Sequence, residues 1–120
     1  IYLCRNMHKK GDQNNMNTKR KSIKKKERYV IYRRYHGTCQ ICGSKIPYEE
    51  MTIDHIIPLE AGGKNVLENY QCTCKICNRM KGSMLQDEFY MHITETFWYL
   101  TGKKCGNEFA EKLFYLIQNT

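Results

Sequence analysis

Apolar positions are unevenly patterned along this 120-residue chain. Residues 1–18, with Asn6, Gly11, Gln13, Asn14, Asn15 and Asn17, show no apolar period and read as mostly disordered. Residues 19–35, KRKSIKKKERYVIYRRY, predict a helix docking lightly through Ile23, Val30 and Ile31. His36-Gly37 reads as a turn. Met51 to Ile57 is rich in β-branched residues and stopped by Pro58, the pattern of a short strand. Gly62-Gly63 marks a loop, and the alternating Asn69 to Thr73 predicts a second strand, antiparallel to the first. Lys75 to Lys81 predicts a short helix ended by Gly82. Ser83 with Gln86 has the form of a capping box, opening a helix whose Leu85, Phe89, Ile93 and Phe97 share one face. Gly102 is expected to break it. Asn107 caps a last helix with Phe109, Leu113, Leu116 and Ile117 as its apolar stripe. These two helices, Trp98 included, read as packing rather than chemistry.

Charge divides the chain more sharply than hydropathy does. Residues 1–35 carry twelve Lys/Arg against Asp12 and Glu27, a net +10, and the remaining eight Lys/Arg against ten Asp/Glu give −2. A basic arm on a near-neutral body suits a nucleic-acid partner, because each neutralised phosphate releases condensed counterions. Lys19, Arg20, Lys21, Lys24, Lys25, Lys26, Arg28, Arg33 and Arg34 are the expected contacts. Tyr29, Tyr32 and Tyr35, interleaved with them, fit phosphate and sugar contact or helix packing equally well. A solvated tail or a localisation signal is the plainer reading of the arm.

The seven cysteines add a metal. An odd count, with no apolar signal core before the charges at Arg5, argues against a disulfide framework and for a reducing, cytoplasmic setting. No apolar run is long enough to span a membrane. The chain begins at Ile1 rather than methionine, which marks either a fragment boundary or a processed end. Cys39-x-x-Cys42 and Cys74-x-x-Cys77 are the ligand pattern of a closed, tetrahedral Cys4 zinc site; four free thiols or two disulfides are the alternatives, and His36 is the alternative ligand. Cys4, Cys72 and Cys105 lack partner spacing and are expected to be free. The gap between the pairs is long for a compact zinc ribbon, so something is built between them, and Asp54-His55 lies there.

From Asp54 to Lys81 the order D-H-I-I-P-L-x-x-G-G-x-N-x-x-x-N-Y-Q-x-x-C-x-x-C-N-x-x-K resembles the HNH endonuclease family, in its zinc-knuckle ββα-metal (His-Me finger) branch. The resemblance covers roughly residues 36–83. It departs at Cys72, where the family usually has an aliphatic residue. It implies a small α+β fold: a ββα-metal core stapled by zinc, with flanking helices. The domain boundaries it suggests are a basic, partly disordered arm (1–35), the nuclease core (36–83) and a C-terminal helical extension packing on that core (84–120).

The resemblance also implies roles. His55 would be the general base that activates water; Asp54 and Asn78 would hold one Mg2+ or Mn2+. Asn69 would hold the loop and orient His55, and Lys81 would lie near the scissile phosphate. Chemistry agrees with that division: imidazole accepts a proton near neutral pH, and a hard, oxygen-ligated cation suits phosphate. Asn78 and Lys81, three apart on a helix, share a face. Asp54 and His55, adjacent on a strand, reach one site only where the strand bends. Asn65 is read as a loop residue, and His8 and His92 as bystanders. The expectation is a metal-dependent endonuclease hydrolysing DNA phosphodiester bonds, with structural zinc and a catalytic Mg2+ or Mn2+. The alternative is a non-catalytic zinc module that binds nucleic acid. Cutting both strands at once needs two active sites, which leaves open a homodimer or a larger complex that supplies specificity.

Overall fold

The computed structural model describes residues 19–120, so the expected disorder of residues 1–18 lies outside the described residues. Two compact units divide after Gln86.

In the first unit, helix α1 (Lys25–Arg34) precedes strand β1 (Thr52–His55), strand β2 (Tyr70–Thr73) and helix α2 (Lys75–Lys81). The strands pair antiparallel, with Thr52 opposite Thr73, Ile53 opposite Cys72, Asp54 opposite Gln71 and His55 opposite Tyr70. Helix α1 packs on β2 and α2 on β1. Both strands are shorter than the apolar pattern suggests, since single 3-10 turns at Leu59–Ala61 and Leu67–Asn69 take over the connection. The result is the small α+β class expected, a ββα unit with flanking helices.

The core is small. Ile31, Cys39, Ile46, Met51, Ile53, Tyr70 and Cys72 form it. Ile31 is 0% exposed, so α1 is part of this core rather than lightly docked, whereas Val30 faces outward. Polar anchors fix α1 further. The Arg28 guanidinium donates to the Tyr48 and Met51 carbonyls at 2.8 and 2.6 Å. The Tyr32 hydroxyl donates to the Ile46 carbonyl at 2.8 Å, and that of Tyr35 to Tyr70 at 3.2 Å. Two of the three arm tyrosines therefore serve packing, and Tyr29 is the exposed one.

The connection between the strands is tied to itself. Asn69 Nδ2 donates to the Ile57 and Lys64 carbonyls, both at 2.9 Å, and its Oδ1 accepts from the Ile57 amide at 2.8 Å. Gly63 lies so close that a Cβ there would fall on the Ile57 carbonyl. Only glycine permits that approach.

The second unit contains helices α3 (Gln86–Cys105) and α4 (Asn107–Gln118). Three expectations change here. Helix α3 starts at Gln86, so Ser83 does not immediately precede it, and Gln86 Oε1 accepts from Gln71 Nε2 at 2.7 Å. Gly102 stays helical, and the break falls at Gly106, whose φ of 88° an L side chain rarely adopts. The apolar stripes are largely exposed, at Ile93, Phe97, Phe109, Leu116 and Ile117, because a pair of helices cannot bury both stripes by itself. Trp98 packs edge-on between Phe97 and Phe114, at 5.1 and 5.4 Å between centroids, as a packing residue.

Truncating the most buried apolar residue of α1 tests the place of that helix in the core. Ile31→Ala is expected to destabilise the fold by about 2–5 kcal/mol in urea titration. A loss under about 0.5 kcal/mol would return α1 to a surface role.

Candidate functional site

Two groups of polar side chains are built on the ββα unit. The first is the cysteine cluster. Residues 39–44 form a tight knuckle: the Cys39 amide donates to the Ser44 carbonyl at 2.8 Å and the Gly43 amide to the Cys39 carbonyl at 2.9 Å. Gly43 supports the turn with φ 78°. The Gln40 amide donates to the Cys72 carbonyl at 2.9 Å and so fastens the knuckle to β2. On the other side Cys74 is the N-cap of α2, its Sγ accepting from the Cys77 amide at 3.4 Å.

The Sγ atoms of Cys39, Cys42, Cys74 and Cys77 all lie within 4.8 Å of one another, and Cys42 to Cys74 is 4.0 Å. Tetrahedral thiolates at a zinc–sulfur distance of about 2.3 Å are roughly 3.8 Å apart, so this donor set fits zinc. His36 is not in the group. The electrostatics of the thiols point the same way. The Ser44 hydroxyl and amide pull the Cys42 thiol down to about 6, while burial first, and then the neighbouring sulfurs, push Cys77 up. Packed sulfurs cannot all ionise alone, and a dication removes the conflict. Cys72 is a core residue whose thiol burial pushes up to about 11. Among the described residues every cysteine is free of disulfides.

The second group surrounds Asp54 and His55. Strand β1 ends at His55, and the backbone turns so that both adjacent residues line one cavity of about 470 Å³ with Arg20, Asn78, Arg79 and Ser83. The bend follows at Ile56 and Ile57, immediately after the two residues and before Pro58. Asp54 is 4% exposed. Its Oδ2 accepts from Lys81 Nζ at 2.9 Å and from Gln71 Nε2 at 2.9 Å. Lys81 Nζ also donates to the His55 carbonyl at 3.2 Å. Lys81 is therefore turned inward, 1% exposed, and meets the carboxylate rather than standing free for a phosphate. Both of these bonds fall on the same carboxylate oxygen, Oδ2.

His55 is 7% exposed. Its ring stands edge-on to Tyr70, 5.2 Å between centroids, and Nε2 is 2.9 Å from Asn65 Oδ1. Asn69 does not touch the ring; it holds the Ile57–Lys64 loop that follows His55. Asn65 and Gln71 are the site residues that sequence reading does not single out. A cross-strand register would find Gln71 opposite Asp54, and the offset of Asn65 from Gly63 hints at a loop residue but not at its partner.

The donor chemistry near Asp54 fits a hard cation. A carboxylate and the carboxamide oxygen of half-buried Asn78 line the same cavity, and oxygen donors of this kind suit Mg2+ or Mn2+ rather than zinc.

The arm residues differ in availability. Lys19, Lys21, Lys24, Lys25 and Lys26 are exposed, as are Arg33 and Arg34. Arg20 donates to the Ile53 carbonyl at 3.2 Å and Arg34 to Leu67 at 2.9 Å, while Arg28 is half-buried on its two carbonyls. Among the described residues no helix is long and apolar enough to cross a membrane.

Residues 39–94 match the protein family described as HNH endonuclease. This segment belongs to the HNH endonuclease family. CRISPR-associated endonuclease Cas9 of Corynebacterium diphtheriae is similar to it, 37% identical over 57 residues. That match takes 47% of this chain and 5% of the relative, so the chain spans about one-twentieth of the relative's length. The family match takes in all four clustered cysteines together with Asp54, His55 and Asn78.

Two measurements test this construction. Cys39→Ser and Cys77→Ser are expected to lose zinc and, with it, the circular dichroism of the folded unit, because a core this small leans on its metal. Acid should release zinc as well, since protons compete for thiolates and burial pushes the Cys77 thiol up. A folded, zinc-free serine variant would refute the structural role. Separately, Lys81→Met leaves the Asp54 carboxylate buried without its cation and is expected to cost about 3–5 kcal/mol in denaturant titration. A change below about 1 kcal/mol would mean the pair is solvent-relaxed.

Proposed function

We propose that this chain is a metal-dependent HNH endonuclease that hydrolyses DNA phosphodiester bonds, with His55 as general base. The observation that carries the reading is the convergence of Asp54, His55 and Asn78 on one open cavity beside a separate four-sulfur centre. A non-catalytic zinc module needs the sulfurs and the lysines, but gains nothing from a buried carboxylate and a histidine facing the same space.

In this mechanism a phosphodiester enters the cavity and a water lies between its phosphorus and the His55 ring. His55 takes the proton from that water as its oxygen attacks. The P–O3′ bond breaks and the departing 3′ oxygen takes a proton from solvent, leaving 5′-phosphate and 3′-hydroxyl ends. Asp54 and Asn78 would hold the catalytic Mg2+ or Mn2+. When bound, that cation supplies charge neutralisation for the phosphate and for the departing oxygen.

Lys81 and Gln71 act on Asp54. They hold its Oδ2 and so keep the carboxylate in one orientation beside the cavity that Asp54 lines. Asn69 acts on the loop after His55, fixing where the strand ends. Arg20, at the cavity rim, and the exposed lysines of the arm offer positive charge to the strand that is cut. That contribution is electrostatic, so binding weakens with salt.

The decisive test is plasmid nicking with Mg2+ or Mn2+. The wild-type chain is expected to nick, and His55→Ala to lose at least about 100-fold in rate while still binding DNA and one zinc per chain. Equal cleavage by both proteins would remove His55 as base. Salt-sensitive DNA binding without cleavage by either would favour the non-catalytic module.

A further inference from the structure

The described part of the arm reaches the active site through its backbone as well as through its charge. Asn65 is half-buried and has three partners. Its Oδ1 faces His55 Nε2 at 2.9 Å and accepts from the Lys21 amide at 3.4 Å; its Nδ2 donates to the Lys19 carbonyl at 3.0 Å. These contacts settle the amide's orientation without reference to the histidine. The Lys19 carbonyl can only accept and the Lys21 amide can only donate, so nitrogen must face Lys19 and oxygen must face Lys21.

The consequence falls on His55. An amide oxygen is an acceptor only, so the ring nitrogen facing it must carry the proton. In neutral imidazole the other nitrogen is then the lone-pair site. We infer that Asn65, clamped between the backbone of Lys19 and Lys21, is a positioning residue that holds the His55 proton on Nε2 and leaves Nδ1 as the atom that accepts the proton of water. Residues 19–21 are thus a strap that completes the active site, and Arg20 between them lines the same cavity as Asp54 and His55. The Tyr70 ring, edge-on to His55, restricts the imidazole from a second side.

The strap links two things that sequence alone keeps apart, the basic arm and the catalytic ring. An arm displaced from its place would leave Asn65 free to rotate, and His55 free to exchange its tautomer. Binding and base catalysis are coupled through two backbone hydrogen bonds rather than through any lysine side chain.

This inference rests on the nuclease reading for its kinetic consequence but not for its structural one, and the test separates the two. The zinc-loaded chain is labelled with 15N, and the His55 ring is observed by long-range 15N–1H correlation, which reports which ring nitrogen carries the proton. The wild type should show the proton on Nε2, and Asn65→Ala a mixture or the Nδ1–H form. A wild-type ring protonated on Nδ1, or a spectrum unchanged in Asn65→Ala, overturns the strap whatever the activity. In plasmid cleavage Asn65→Ala should lower kcat by about 10- to 100-fold with KM little changed, and Asn65→Asp, which keeps the acceptor for His55 but loses the donor to Lys19, should recover only part of it. Lys21→Pro, which deletes the amide hydrogen, should fall roughly threefold below Lys21→Ala, which deletes the same charge and keeps that hydrogen. Equal kcat for Asn65→Ala and wild type also overturns the inference. A wild type that never cuts overturns the nuclease reading, and the ring spectrum still decides the strap.

Discussion

Four sulfurs within 4.8 Å of one another are the constraint on which the rest of the first unit depends. They come from two places far apart in the chain: a knuckle fastened to β2 by the Gln40–Cys72 bond, and the start of α2. Bringing them together fixes where α2 begins and how it is rotated. Cys77 must face the cluster, so Asn78, one residue on, turns about 100° away. Lys81, three residues beyond Asn78, shares its side of the helix and reaches Asp54. A four-sulfur cluster thereby sets the angular position of the α2 residues that follow it.

Electrostatics completes what the sulfurs begin. A buried carboxylate is costly to ionise without a partner, and Asp54 has both an ammonium and an amide on the same oxygen. Pairing of this kind adds less to stability than it appears to, because both charges are taken out of water. What it adds here is orientation. Lys81 bonds the Asp54 carboxylate and the His55 carbonyl together, so one side chain ties two successive residues at the point where β1 ends. Gln71 continues that tie across the sheet and on to Gln86. The cavity is therefore lined by groups whose own rotamers are held from behind.

Much of this was legible in the sequence, and the exceptions have physical causes. The paired cysteines, the β-branched run before Pro58 and the ordered motif from Asp54 to Lys81 announced the ββα unit and its sulfur cluster. Spacing placed Asn78 and Lys81 on one face of α2 but could not say what that face meets. Lys81 looked available for phosphate until burial put Asp54 in front of it. Gln71 depended on strand register, which the loop through residues 56–69 sets and no local signal encodes. Asn65 depended on Lys19 and Lys21, more than forty residues away, and a pattern of neighbours cannot reveal a partner at that distance. In the second unit, Gly102 misled because helices tolerate an internal glycine at about 1 kcal/mol, while the left-handed φ at Gly106 is what stops α3.

The arm shows why net charge is a poor guide to mechanism. Its nine basic residues from Lys19 to Arg34 look interchangeable in composition, yet the structure sorts them. Arg28 has its guanidinium on two carbonyls, and Arg20 and Arg34 each have one nitrogen on a carbonyl of the same unit. Guanidinium carries five donors in a fixed fork, so the exposed Arg20 and Arg34 can brace the fold and still face a phosphate, whereas Arg28 is half-buried with one nitrogen shared between its two carbonyls. The exposed lysines keep their charge in water, where it attracts a polyanion but specifies no position. Position comes instead from the peptide groups of Lys19 and Lys21 on Asn65. An arm built this way attracts through its side chains and aligns through its backbone, and the two tasks can fail independently.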